Sequence, residues 1–166
     1  MHTEVIRSSR RKKTIQARFA DGVLRVMIPA SLSHEEERRV VEEMEERHRR
    51  RATSDGVDLA ARAAQLSRSH GLPRPETIEF SSRQTTRWGS CIPSAGAILI
   101  SDRVAGFPTW VLDYVIIHEL AHLSESNHSS RFWELVERYP LAERARGFLL
   151  AIQYGASSVS ADDTPS

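Results

Sequence analysis

The sequence has a single cysteine, Cys91, among 166 residues. A disulfide framework and a zinc module built on several cysteines are both excluded. Aromatic residues make up only 7%, with three tryptophans, so a tryptophan inside a polar stretch stands out. Neither charge is in excess: 23 Lys and Arg stand against 22 Asp and Glu, a formal net charge of +1. That balance excludes a generally basic nucleic-acid coat and a generally acidic tail. Nucleic acid is expected only through the local basic segment Arg10-Arg11-Lys12-Lys13. No apolar run approaches the roughly 20 residues of a membrane span, so no membrane partner is expected. The opening Met1-His2-Thr3-Glu4 is polar and lacks the apolar stretch of a signal peptide. A cytoplasmic protein is the expectation. The length suits one domain with a small subdomain, and a core of that size needs no staples.

What is present divides into two stretches. Residues 3–28 read as strands, with Asp21-Gly22 as a hairpin turn between Thr14–Phe19 and Val23–Ile28. Ser33 and Glu36 form a capping-box pattern that opens a charged helix to about Arg51. Its thin apolar stripe is Val40, Val41 and Met44. Thr53-Ser54-Asp55-Gly56 reads as a linker. An Ala-rich helix follows from about Val57 to Ser69, closed by Gly71 and Pro73. Thr77–Phe80 and Ala97–Ile100 read as strands separated by a polar loop. Pro108 opens a strongly apolar helix, and two further helices are expected over Arg131–Arg138 and Leu141–Gln153. The Ser, Asp, Thr and Pro content of residues 156–166 predicts a disordered tail. The expected domains are a strand-hairpin-helix lobe over 1–52 and a catalytic domain over 56–155.

The apolar helix contains His118-Glu119-Leu120-Ala121-His122. Two histidines four apart share a helix face, so both imidazoles can reach one ion. Glu119 lies beside the first, where it can act as general base without ligating the ion. A catalytic zinc keeps three protein ligands and one open position. His128 is the preferred third ligand, reached by a turn through Ser124, Glu125, Ser126 and Asn127, with Ser129 or Ser130 capping the next helix. Glu125, Glu134 and Glu137 are the alternatives. Metzincins share the spacing but carry a glycine where this chain has Glu125, so the chain departs from that group. The bland alternative, three hydrogen-bonded core histidines, accounts poorly for three of seven His within eleven positions.

The second unusual segment is Arg87-Trp88-Gly89-Ser90-Cys91. It reads either as a packed tryptophan with a tight turn, or as a substrate-binding loop beside the metal cleft. In the second reading Gly89 allows close backbone approach and Arg87 faces an anionic group. Cys91 reads as a small buried hydrophobe or as a regulatory thiol.

These residues, with Asn127-His128-Ser129 and Arg131-Phe132-Trp133, resemble the YgjP-like metallopeptidase family, akin to the SprT-like and WLM metallopeptidases of the zincin class. The stretch from Arg7 to Ala30 is also similar to that family's strand-rich start. The resemblance covers about residues 3–155. It implies an α+β zincin-like catalytic domain with a small antiparallel sheet. It implies one zinc ion held by His118, His122 and His128, with Glu119 as catalytic base for cleaving peptide or protein substrates through a zinc-bound water. Ala97–Ile100 is expected to be an edge strand able to hold an extended peptide. Two other functions are weighed: hydrolysis of nucleotides or phosphate esters, with Arg87 or the basic segment on phosphate, and a nucleic-acid-associated protein with a zinc site. No P-loop and no carboxylate cluster for magnesium supports the first. Near-zero net charge and the presence of a base argue against the second.

Overall fold

Asp21 and Gly22 both adopt positive φ, 54° and 76°, as a two-residue hairpin turn of right-handed twist requires. In the computed structural model, which describes residues 2–159, this turn joins β2 (Gln16–Ala20) to β3 (Val23–Pro29). β1 (His2–Ser8) lies parallel on the other side of β3, giving the order β1-β3-β2. Alternate residues of β3, namely Leu24, Val26 and Ile28, are buried. They pack with Val40, Val41 and Met44 of α1 (His34–Asp55), the stripe expected from the sequence. The capping box forms reciprocally. The Ser33 backbone N–H donates to Glu36 Oε2 at 2.8 Å, and the Glu36 N–H donates to Ser33 Oγ at 3.2 Å. These contacts hold the Glu36 carboxyl below its ordinary pKa. The basic segment Arg10–Lys13 forms the connection between β1 and β2.

The chain divides into compact units at residues 1–53 and 54–166, a division that falls in the last turn of α1. Thr53, Ser54 and Asp55, expected as linker, are helical. Three consecutive polar residues lacked any apolar spacing, yet they simply continue α1.

The second unit has a three-stranded sheet, β4 (Thr77–Ser81), β5 (Gly89–Ile92) and β6 (Ala97–Ser101), in the order β4-β6-β5. Against it lie α2 (Leu59–His70) and α3 (Thr109–His122), followed by α4 (Ser130–Val136) and α5 (Ala142–Val159). The α+β class is the one expected, but two features of the sheet are corrected. It is mixed: β5 pairs antiparallel with β6, while β4 pairs parallel. And Ala97–Ile100 is no edge strand. A single 3-10 turn at Pro93–Ala95 folds the chain back so that β6 runs between β4 and β5. Both its sides are paired, and no peptide can add there. Ile98 and Ile100 on one face are buried, and Ala97 and Leu99 on the other are half-buried, as in the central strand of a small sheet. The edge beside the site is β5, cut from the stretch expected to be a polar loop.

α3 is apolar nearly all round and is buried accordingly, with Val111, Ile116, Ile117 and Leu120 inaccessible. Its one buried acidic residue toward α2, Asp113, accepts two hydrogen bonds from Arg62 of α2, at 2.7 and 2.6 Å. Removing Arg62 would strand the buried Asp113 carboxylate, so the pair fixes how α3 seats in the core. α5 continues to Val159, into the stretch expected as tail; residues 160–166 of that stretch lie outside the described residues.

Candidate active site

His118 and His122 occupy the last turns of α3, one helical turn apart. The chain then leaves the helix, with the Ser124 and Glu125 N–H groups donating to Ala121 O at 3.1 and 3.0 Å. Ser129 caps α4, its hydroxyl accepting from the Phe132 N–H at 3.2 Å. That excursion brings His128 back over the helix. Its Nε2 lies 3.2 Å from the Nε2 of His118 and 3.2 Å from that of His122.

A test of metal fit follows from those distances. Three nitrogens at about 2.0–2.1 Å from a tetrahedral ion stand roughly 3.3 Å apart. The two separations from His128 match, and all three nitrogens lie within 4.8 Å of one another. The proton inventory agrees at His122. Its Nδ1 lies 2.9 Å from the Glu125 carbonyl oxygen, which can only accept. Nδ1 therefore carries the hydrogen, and Nε2 turns a lone pair toward the other two rings. Of the alternative third ligands, Glu125 pairs with Arg131 at 3.0 Å, and Glu134 and Glu137 are exposed outside the cleft. Among the described residues, His118, His122 and His128 are the group able to hold a metal ion.

The rings rest on a platform the sequence reading did not single out for this role. Phe132, fully buried, has its ring 4.9, 4.4 and 4.7 Å from those of His118, His122 and His128. Trp133 stacks on His128 at 5.5 Å and 22°. The available signal was adjacent aromatics three residues after the Asn-His-Ser run, at the start of a short helix.

Burial decides the protonation of this cluster. Desolvation first, then the neighbouring His122 and His128, push His118 down to about 3. His122 is lowered as well, chiefly by burial. In the unfolded chain both take up protons near 6.5. Between pH 6.5 and 3 the unfolded state therefore binds more protons than the folded state, and stability rises with pH across that window. The metal-free protein is expected to lose thermal stability progressively as pH falls through it, and His118→Ala should flatten that slope. Melting curves of the chelator-treated protein check this.

Glu119, 5% exposed, lines the same cleft as the triad, one residue after His118 on α3. Burial pushes its carboxyl up to about 7, with the positive charge of Arg87 opposing. β5 passes directly over it. A Cβ built on Gly89 would stand 2.7 Å from Glu119 Oε1 and 2.8 Å from its Cγ, so only glycine permits this approach.

The segment before β5 is pinned to the end of β6. Ser101 donates its N–H to the Trp88 carbonyl at 2.8 Å and its hydroxyl to the Gln84 carbonyl at 2.9 Å. Gln84 Nε2 donates to Ser90 Oγ at 2.5 Å. The structure brings Arg87, Trp88, Gly89 and Ser90 to one cleft of about 770 Å³ with the three histidines and Glu119. Trp88 also packs as a structural residue. It is half-buried, lies 5.5 Å edge-on to Phe107, and carries the Arg103 guanidinium at 4.3 Å over its ring. Cys91, on β5, is half-buried, and its thiol is pushed up to about 11, first by desolvation and then by Glu119. It is a neutral thiol near pH 7. The sequence reading missed the far wall of the cleft, where α5 contributes Arg146, Leu149, Leu150 and Gln153. Nothing in an amphipathic helix some 20 residues downstream marks it as lining the same cleft as the triad.

No curated protein matches the chain. Among solved structures, it is similar to the crystal structure of the metallopeptidase zymogen abylysin from Pyrococcus abyssi, at 26% identity and a TM-score of 0.49. That match covers 56% of this chain and 91% of abylysin. The model of the YgjP-like metallopeptidase domain matches residues 9–148, a span that contains the histidine triad, Glu119, the Arg87–Cys91 segment and the start of α5. The chain belongs to the YgjP-like metallopeptidase family.

Proposed function

We propose that this metallopeptidase is a zinc enzyme that cleaves peptide bonds, with Glu119 as its general acid–base. The observation that carries the reading is the Nε2 triangle of His118, His122 and His128, with a buried carboxylate in the same cleft. His118, His122 and His128 would hold the ion through their Nε2 atoms, leaving a fourth position toward the cleft. Zinc held there polarises a carbonyl oxygen and acidifies water.

The chain's own groups do the rest. Glu119 takes a proton from the attacking water, because burial raises its carboxyl to about 7 and so makes the carboxylate a stronger base near neutral pH. It returns that proton to the departing amine nitrogen, so atoms and charge balance over the cycle: one water enters, one acid and one amine leave. The Glu125 carbonyl holds His122 in the tautomer that presents Nε2. Phe132 and Trp133 stop the three rings from turning. β5 borders the cleft as an edge strand, in the place where an extended substrate backbone can lie alongside. Arg87 binds substrate, not metal. Among the described residues no helix is long and apolar enough to cross a membrane.

Gly89→Ala should separate metal binding from catalysis. The added methyl displaces the Glu119 carboxylate without touching a histidine. Misplacement of a reacting group by about 1 Å costs on the order of 10²-fold. Zinc content is expected to stay at one per chain, while kcat falls by that factor. The reading itself is tested by incubating the zinc-loaded protein with peptides, folded proteins and nucleotides, with Glu119→Gln as control. Peptide hydrolysis that disappears in the control is the expected result. Hydrolysis of nucleotides alone would overturn it.

A further inference from the structure

Arg87 and Arg146 both line the cleft, one from the segment before β5 and one from α5. Glu119 is the lone carboxylate among the lining residues, and it lies at the floor, 5% exposed. The cleft thus concentrates positive charge in a chain whose net charge is only +1. Arg146 is held close to the triad. Its guanidinium carbon stands 4.8 Å over the Trp133 ring, and that ring is 5.5 Å from His128 and 6.0 Å from His118. Stacking on an aromatic face fixes a guanidinium in orientation while leaving its edge for hydrogen bonding. The contact from Arg146 Nη1 to Glu143, 2.6 Å, is a surface pair one turn back along α5, with Glu143 76% exposed. Such pairs are weak and exchange readily.

We propose that Arg146, together with Arg87, makes this cleft selective for peptides bearing a carboxylate next to the scissile bond, and that Arg146 is the residue that sets this specificity. The inference rests on the peptidase reading above and adds the substrate class to it. A planar guanidinium grips a carboxylate through two parallel hydrogen bonds, a geometry that an amide of the same shape cannot accept at full strength. The carboxylate can be an acidic side chain or the free C-terminus of the peptide.

The test is a binding measurement, independent of turnover. Zinc-loaded Glu119→Gln protein is titrated calorimetrically with acetyl-Ala-Asp-Ala-amide, acetyl-Ala-Asn-Ala-amide and acetyl-Ala-Asn-Ala with a free C-terminus. At least one of the two carboxylate peptides is expected to bind about tenfold tighter than the uncharged amide. Which one does so tells side chain from terminus. Arg146→Met, which keeps an apolar stem on Trp133, should erase the difference, and Arg146→Lys should restore part of it. In the active protein the same substitution should raise KM for the acidic peptide with little change in kcat. Equal binding of all three peptides would overturn the proposal even if wild-type protein cleaves them. Selective binding without any cleavage would instead overturn the peptidase reading and leave the anion-binding cleft standing. A nucleoside triphosphate that binds tighter than either acidic peptide, and loses that advantage in Arg146→Met, would overturn the assignment to peptides.

Discussion

Replacing Glu119 with glutamine is expected to leave one zinc per chain and to lower kcat by about 10²–10⁴-fold, the usual contribution of a positioned acid–base group. Glutamine matches the shape of glutamate but cannot take a proton. The position tolerates the exchange sterically, because the carboxylate already lies under β5 with Gly89 in contact. It should also be tolerated thermodynamically. A neutral amide avoids the desolvation that pushes the Glu119 carboxyl up to about 7, so the variant should melt no lower than the wild type. Metal analysis, steady-state kinetics and a melting curve on one preparation test all three statements. A variant with near wild-type turnover would remove Glu119 from the chemistry. A variant that lost its metal would move the residue into the ligand set.

The second large effect concerns the ligands. His118→Ala or His122→Ala should abolish zinc binding at one equivalent of metal, a loss of affinity well beyond the 10–100-fold typical of an outer-shell partner. His128→Ala should weaken binding markedly, and Glu134→Ala should leave it unchanged. The reason for the ordering is local. His118 and His122 stand on a buried helix, whereas His128 reaches the site on a turn. Free zinc at about a thousand times its Kd adds about 4 kcal/mol of stability. Chelation should therefore lower the melting temperature of the wild type and leave that of His118→Ala where it is. Zinc retained at full occupancy in the His118→Ala, His122→Ala double variant would show that the triad is not the metal site.

Much of this was legible in the residues because the relevant physics is local. Two histidines four apart on an apolar helix share a face whatever the tertiary structure does. Asp21-Gly22 takes positive φ because those residues pay little for it, and Ser33 with Glu36 satisfies helix-end N–H groups within its own turn. Gly89 was marked as a point of close backbone approach, and the carboxylate it approaches proves to be that of Glu119.

Tertiary structure decided the rest. Strand order is a property of distant pairings, so Ala97–Ile100, which reads like any short apolar strand, could not announce that it runs between β4 and β5. The Gly89–Ile92 strand is only four residues long and opens with a glycine and a serine, and so short an edge strand is indistinguishable from a loop by pattern alone. Phe132 and Trp133 become the bed of the imidazoles, and Arg146 becomes a wall of the cleft, only when α4 and α5 fold back against α3. The amino-acid sequence by itself determined which atoms can bind a metal and which can carry a proton, because those are properties of side chains and of helical spacing. The three-dimensional packing determined where these groups stand relative to one another and what charge a substrate meets there, because desolvation and Coulomb interaction depend on distances that no single stretch of chain contains.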